Sequence, residues 1–248
     1  MELRNSKGTS IVDHASWEKA FLEVDDQKHW KTGRSACSLA VFFSSPNVSN
    51  SQGCQLIKDY LKSIGFDCVQ FEKAEIEHES RFDKYQGKGR MQDLSIWAKS
   101  SNGLISINIE AKVDETFDET ITEKYIIAKN HVLSNPRSKQ KIRLEEICKK
   151  FYPQKEISDL SAIRYQLLYY LAGSIEEAKK INGIAYLPIM VFHTEDFDEK
   201  KGEYNKEDYY SFIKSLDFSC IQPEKGIYYK NIEGIDVFLS YMIIDIKP

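Results

Sequence analysis

The chain is short of paired cysteines, clustered histidines and long apolar runs, and each shortage excludes something. Cys37, Cys54, Cys68, Cys148 and Cys220 are scattered, odd in number and contain no C-x-x-C pair. Such spacing excludes a disulfide framework or a zinc knuckle and leaves buried free thiols. His14, His29, His78, His131 and His193 are equally dispersed and form no histidine metal motif. No apolar run approaches the roughly 20 residues that span a bilayer, so no membrane association is expected. The segment Met1–Ser10 is polar and mixed in charge, unlike a secretory signal, and a cytoplasmic location is the expectation.

What remains is ordinary in amount and uneven in placement. A hydrophobic fraction of 42% is enough for a sizeable core, and 12% aromatic residues imply rings in that core and in any groove. The net charge of −4 argues against a protein that coats nucleic acid nonspecifically. Yet from Lys124 to Lys155 there are nine Lys or Arg against Glu145 and Glu146 alone, while Asp67 to Asp83 is acidic. The basic segment can meet a polyanion, or it can be a solvated helix face.

Periodicity divides the chain into three parts, with no internal repeat. Residues 1–50 read as a helical extension with helices near Ala15–Val24 and Ser35–Phe43, then a break at Ser44-Ser45-Pro46-Asn47. Residues 51–195 begin with a helix over Gln52–Ile64, closed by Gly65, and a strand over Phe66–Ile76. Strands Met91–Ala98 and Leu104–Val113 follow, then a basic helical insertion over about 120–155 and a long helix, Leu160–Ile181. Ile184–His193 is a continuous apolar strand of the kind buried on both faces. Residues 196–248 hold a helix, Lys206–Leu216, and a hairpin turning at Glu233-Gly234. Helix, three strands, helix, strand predicts an α/β fold with a mixed sheet flanked by helices.

The candidate site lies on the central hairpin. Ile105, Ile107, Ile109, Ala111 and Val113 point one way, and Ser106, Asn108, Glu110 and Lys112 the other. Across it, Leu94, Ile96 and Ala98 oppose Asp93 and Ser95. A two-residue turn at Asn102-Gly103 would pair Ser95 with Glu110 and Asp93 with Lys112. A one-residue slip would put Asp93 among the isoleucines. Two carboxylates about 4 Å apart at an effective dielectric near 20 repel by about 4 kcal/mol. They therefore call for a cation, a shared proton or a lysine. Hard oxygen ligands suit Mg²⁺, with Mn²⁺ as a substitute, and Lys112 can orient an attacking water and offset phosphate charge. The plain alternative is a salt-bridge cluster on the wet face of a hairpin.

Asp93, a hairpin, then Ile109-Glu110-Ala111-Lys112 resembles the signature of the PD-(D/E)XK nuclease superfamily. The similarity covers about Gln52 to His193. Glu-Ala-Lys-Val-Asp-Glu with a later Arg-Tyr-Gln-Leu-Leu also resembles an uncharacterised bacterial branch of it. Gln92, where the superfamily's name has proline, departs from the pattern.

The resemblance implies a restriction-endonuclease-like core with N- and C-terminal additions that shape the substrate groove. Asp93, Glu110 and the Ala111 carbonyl would hold Mg²⁺, and Lys112 would serve the attacking water. Gln166 and Tyr170 are similar to the Gln-x-x-x-Tyr pattern of the RecB-like branch, or they belong to an amphipathic core helix. Arg164 could meet a phosphate, and Lys31 and Arg34, beside His29 and Trp30, could contact a strand. Asp114, Glu75 and Glu77 are further acids within reach of the site. The implied activity is a metal-dependent nuclease acting on DNA, with a homodimer as the implied assembly. A non-catalytic nucleic-acid-binding module and an RNA-directed nuclease stay open.

Overall fold

The computed structural model describes residues 1–44, 51–195 and 197–246. The break expected at Ser45-Pro46-Asn47 lies outside the described residues. Strand β1 (Glu2–Asn5) is followed by helices α1 (His14–Leu22), α2 (Ser35–Phe43) and α3 (Gln52–Ser63). Strands β2 (Gln70–Ser80), β3 (Arg90–Ser100) and β4 (Gly103–Lys112) come next. Helices α4 (Ile121–Ser134), α5 (Gln140–Phe151) and α6 (Tyr165–Lys180) lead to β5 (Ile184–His193). The chain ends with α7 (Glu199–Ser215), β6 (Ser219–Gln222), β7 (Ile227–Ile232) and β8 (Ile235–Asp245).

The strands form one eight-stranded sheet in the order β1-β2-β3-β4-β5-β8-β7-β6. It is mixed: β1/β2, β4/β5 and β5/β8 are parallel and the other pairs antiparallel. Helices cover both faces, an α/β architecture. Ile105, Ile107, Ile109, Tyr186 and Met190 pack under α1, α2 and α3. Leu187, Ile189 and Val191 pack with α6 and α7 on the other face. The continuous apolar run of β5 is thus used on both sides. No helix among the described residues is long and apolar enough to cross a membrane.

Several boundaries differ from the expected ones for local reasons. β1 and β6 have four residues each, too few for alternation to register. The basic section splits into α4 and α5 around Pro136, which has no N–H to continue a helix. Leu160 ends a short 3₁₀ turn, so the long helix starts at Tyr165. Helix α7 starts seven residues early, at Glu199, where the Asp198 side chain caps it. The segment from α4 to the 3₁₀ turn enters and leaves at one point. Ile121 N donates to Ile163 O (2.8 Å) and Tyr165 N to Glu119 O (3.0 Å), beside a Thr120–Arg164 bridge.

The central hairpin corrects the expected register by two residues. Ser100 pairs with Gly103, Ser95 with Asn108 and Leu94 with Ile109, which sets Asp93 across from Glu110 rather than Lys112. The turn falls on Ser101-Asn102, and of residues 101–103 only Gly103 has positive φ, at +130°, so the type I′ turn expected at Asn102-Gly103, which needs two such residues, does not form. Asn102 also donates to Gly65 O (2.6 Å), and its N–H to Ser100 Oγ (3.1 Å). A shift by an even number leaves every side chain on its expected face.

Candidate active site

Helix α6 lies close over the polar face of β4, so that face is not wet. Ser106, Asn108, Glu110 and Lys112 are all buried, Glu110 to 2% exposure. The close approach depends on Gly173, where an added Cβ would stand 3.1 Å from both Gln92 Nε2 and Ser80 Cβ. Ser95 donates to Asn108 across the hairpin (2.8 Å), and Tyr170 to the Asn108 and Pro188 carbonyls. One turn earlier on α6, Gln166 donates to Glu110 Oε1 (2.6 Å). Its own Oε1 accepts from Lys112 Nζ (3.2 Å) and Asp118 N (3.3 Å). Lys112 Nζ is also 3.2 Å from Glu110 Oε1 and faces the Phe117 ring. Asp93 Oδ2 accepts from the Ala111 N–H (2.7 Å). Asp93, Glu110, Ala111, Lys112 and Gln166 are therefore one connected group.

Two further charged residues join this group: Arg90, which sequence reasoning misses, and Glu77, which it names among the further acids. Arg90 forms an ion pair with Glu110 Oε2 and keeps a buried, unpartnered Nε. It stands on the parity opposite to Asp93, so simple strand alternation conceals it. Glu77, one of the further acids, lines the same cleft through a backbone irregularity. Its φ is +48°, a left-handed conformation that costs a β-strand glutamate about 1 kcal/mol or more. Alternation breaks there: Glu75 and His78, three apart, meet on the same face (2.8 Å). A regular strand would not place them so.

The electrostatics follow from this crowding. Burial, then the neighbouring Glu110, push the Asp93 carboxyl up to about 7. Burial, then Asp93, hold Glu77 well above the usual carboxylate range. Three carboxylates face two cations, Arg90 and Lys112. Fully ionised, the group would carry one surplus negative charge, which retained protons or a bound cation relieve.

A cleft of about 420 Å³ opens onto these residues and is also lined by Lys31, Arg34 and His29. Other expected residues go elsewhere. Arg164 pairs with Asp208 (2.8 Å) on α7 and does not line the cleft. Tyr170 is 1% exposed and serves as a packing clamp; its neighbour Tyr169 lines a second groove. Asp114 is held by Arg34 and Lys201. Glu75 belongs to His78, and Trp30 packs on His14 and Phe21. His193 stacks on Phe197 (4.0 Å) at the end of β5.

Among the described residues, no group of three or more His, Cys, Asp or Glu is disposed to hold a metal ion. The oxygen atoms gathered here are those of Asp93, Glu110 and the Ala111 backbone, a smaller set than such a group. Mg²⁺ is commonly held by only one or two carboxylates with waters in its other positions, and surplus negative charge suits it. Its competitor is Arg90, already on Glu110. The family model described as "Domain of unknown function (DUF6946)" matches residues 10–246. The chain belongs to that family. The match takes in α1, α2 and the C-terminal hairpin together with the central strands, so the cleft lies wholly within family sequence. No curated protein and no solved structure matches the chain.

Proposed function

We propose that this protein is a Mg²⁺-dependent nuclease of the PD-(D/E)XK type, with a restriction-endonuclease-like core, acting on DNA in the cytoplasm. The observation that carries the reading is the connected set Asp93–Ala111, Glu110–Lys112–Gln166 at the mouth of a cleft. Asp93, Glu110 and the Ala111 carbonyl would hold the ion. When bound, Mg²⁺ would supply a Lewis acid for the phosphoryl oxygen. Lys112, steered by Gln166, is placed to orient the attacking water and offset charge on the phosphate. Gln166 keeps the lysine from collapsing wholly onto Glu110 by offering it a second acceptor. Lys31 and Arg34 line the cleft and would serve as phosphate contacts, Arg34 from its pairing with Asp114.

The Arg90–Glu110 ion pair favours a second reading, a non-catalytic nucleic-acid-binding module, since it already neutralises one carboxylate. Cleavage assays with purified protein and Mg²⁺ or Mn²⁺, on plasmid, single-stranded DNA and RNA, separate the two. Divalent-dependent cutting abolished by Lys112→Ala supports the nuclease. Absence of cutting on every substrate, or undiminished cutting by Lys112→Ala, rejects it.

A further inference from the structure

A second and larger groove, of about 910 Å³, adjoins the candidate site, with Gln166 lining both. Its walls are the β2–β3 loop, the α4–α5 turn and the first turns of α6. Seven cationic side chains line it against one carboxylate, Asp118, in a chain whose net charge is −4. The positive charge is therefore concentrated against the overall sign. Some of these cations are already occupied: Arg143 with Asp83, Lys124 with Glu119, Arg90 with Glu110. Lys84, Lys88, Arg137 and Lys139 are exposed and form no ion pair among the described residues. Four like charges left facing one groove raise its potential and suit a polyanion.

The aromatic lining narrows the choice. Tyr165 and Tyr169 stack with ring centroids 5.3 Å apart and planes 23° from parallel, on the wall beside Gln166. Phe82 packs edge-on against Tyr169 (4.8 Å), and Arg143 donates to the Tyr169 hydroxyl (3.2 Å), so the pair is held in place. A fixed stack of rings between cations can take unpaired bases, whose faces are open; the bases of a duplex are stacked on one another.

We infer that this groove binds single-stranded nucleic acid, with its phosphates on Lys84, Lys88, Arg137 and Lys139 and a base on the Tyr165–Tyr169 stack. The choice of nucleic acid as the polyanion rests on the nuclease reading; binding itself does not require cleavage. The strand would run from the groove past Gln166 to Asp93 and Glu110.

The test is fluorescence anisotropy with a labelled single-stranded oligonucleotide, its duplex and poly-glutamate as probes, in chelator so that nothing is cut. Single strand should bind more tightly than duplex, with poly-glutamate not bound. With four phosphates engaged, affinity should fall several hundredfold for a tenfold rise in salt, at about 0.7 log units per phosphate. The double variant Lys88→Gln/Lys139→Gln should lessen that slope by about 1.4 on the same basis. Tyr169→Leu should weaken single-strand binding by at least about fivefold, the low end for one lost stack. Tighter duplex binding, capture of poly-glutamate, or an unchanged slope in the lysine variant overturns the inference. Strand binding without cleavage would reject the nuclease and keep the groove; cleavage indifferent to the lysine variant would do the reverse.

Discussion

Glu77 and His78 are consecutive residues of β2, yet they belong to charge clusters of opposite character. His78 sits between Glu75 (2.8 Å) and the buried Glu177 (3.2 Å), which also pairs with Lys180. Burial alone would depress its imidazole, but contacts with Glu177 and Glu75 outweigh that and raise it to about 8. Glu75 is held below the usual carboxylate range by His78; so is Glu177, where His78 and Lys180 overcome burial. Each charge there supports the others and pins α6 to β2. One residue away, Glu77 and Asp93 are pushed the other way. The first cluster is arranged for the fold. In the second, burial and like charge disfavour ionisation of two carboxyls, a perturbation that clusters at functional sites and also arises in structural networks.

The largest expected contrast is in activity. Lys112→Ala should reduce cleavage by about 10²–10⁴-fold, the usual worth of a positioned acid–base group. Asp93→Asn should abolish cleavage yet raise Tm in metal-free buffer, because it removes a disfavoured charge and keeps an acceptor for Ala111 N–H. His78→Leu should do the opposite, leaving α6 tied less firmly and costing about 3–5 kcal/mol in urea melts, as for a broken buried ion pair.

The pH dependence sharpens the same contrast. The folded imidazole, at about 8, holds its proton more tightly than the unfolded one at 6.5. Its contribution is complete below pH 6.5 and lost as pH rises through 8, about 2 kcal/mol in all. Urea melts across that window should show the decline, and His78→Gln should flatten it. The smallest effect is expected from Gly173→Ala. Helix propensity favours it by up to about 1 kcal/mol, while contact with Ser80 opposes it. Stability should change little, and cleavage should fall as Gln166 is displaced from Lys112.

Much of this was legible before the structure. Strict alternation put Asp93, Glu110 and Lys112 together, and an error of two residues in the turn left their faces intact. The apolar run Ile184–His193 announced a strand covered on both sides. Other features lay beyond periodicity. Glu77 lines the site where its left-handed backbone interrupts the alternation of β2, and Arg90 joins it from β3 on the parity opposite to Asp93. The burial of the hairpin's polar face depends on how closely α6 approaches, and Gly173 gave no sign of that within an otherwise ordinary helical pattern. Arg164 and Asp114 meet partners on α7, too distant in sequence for spacing to reveal.

The shared entry and exit of the α4–α5 segment has a consequence for how the molecule could diversify. Its ends are tied by backbone bonds between Glu119–Ile121 and Ile163–Tyr165, at the base of the groove wall that it builds. The segment thus closes on itself at its base and carries Lys124, Arg137, Lys139 and Arg143 to the groove as one unit, while Asp93, Glu110 and Lys112 lie outside it. Charge changes on the exposed faces of α4 and α5 would therefore alter one wall of the groove while leaving the Tyr165–Tyr169 stack and the Asp93–Glu110–Lys112 group in place.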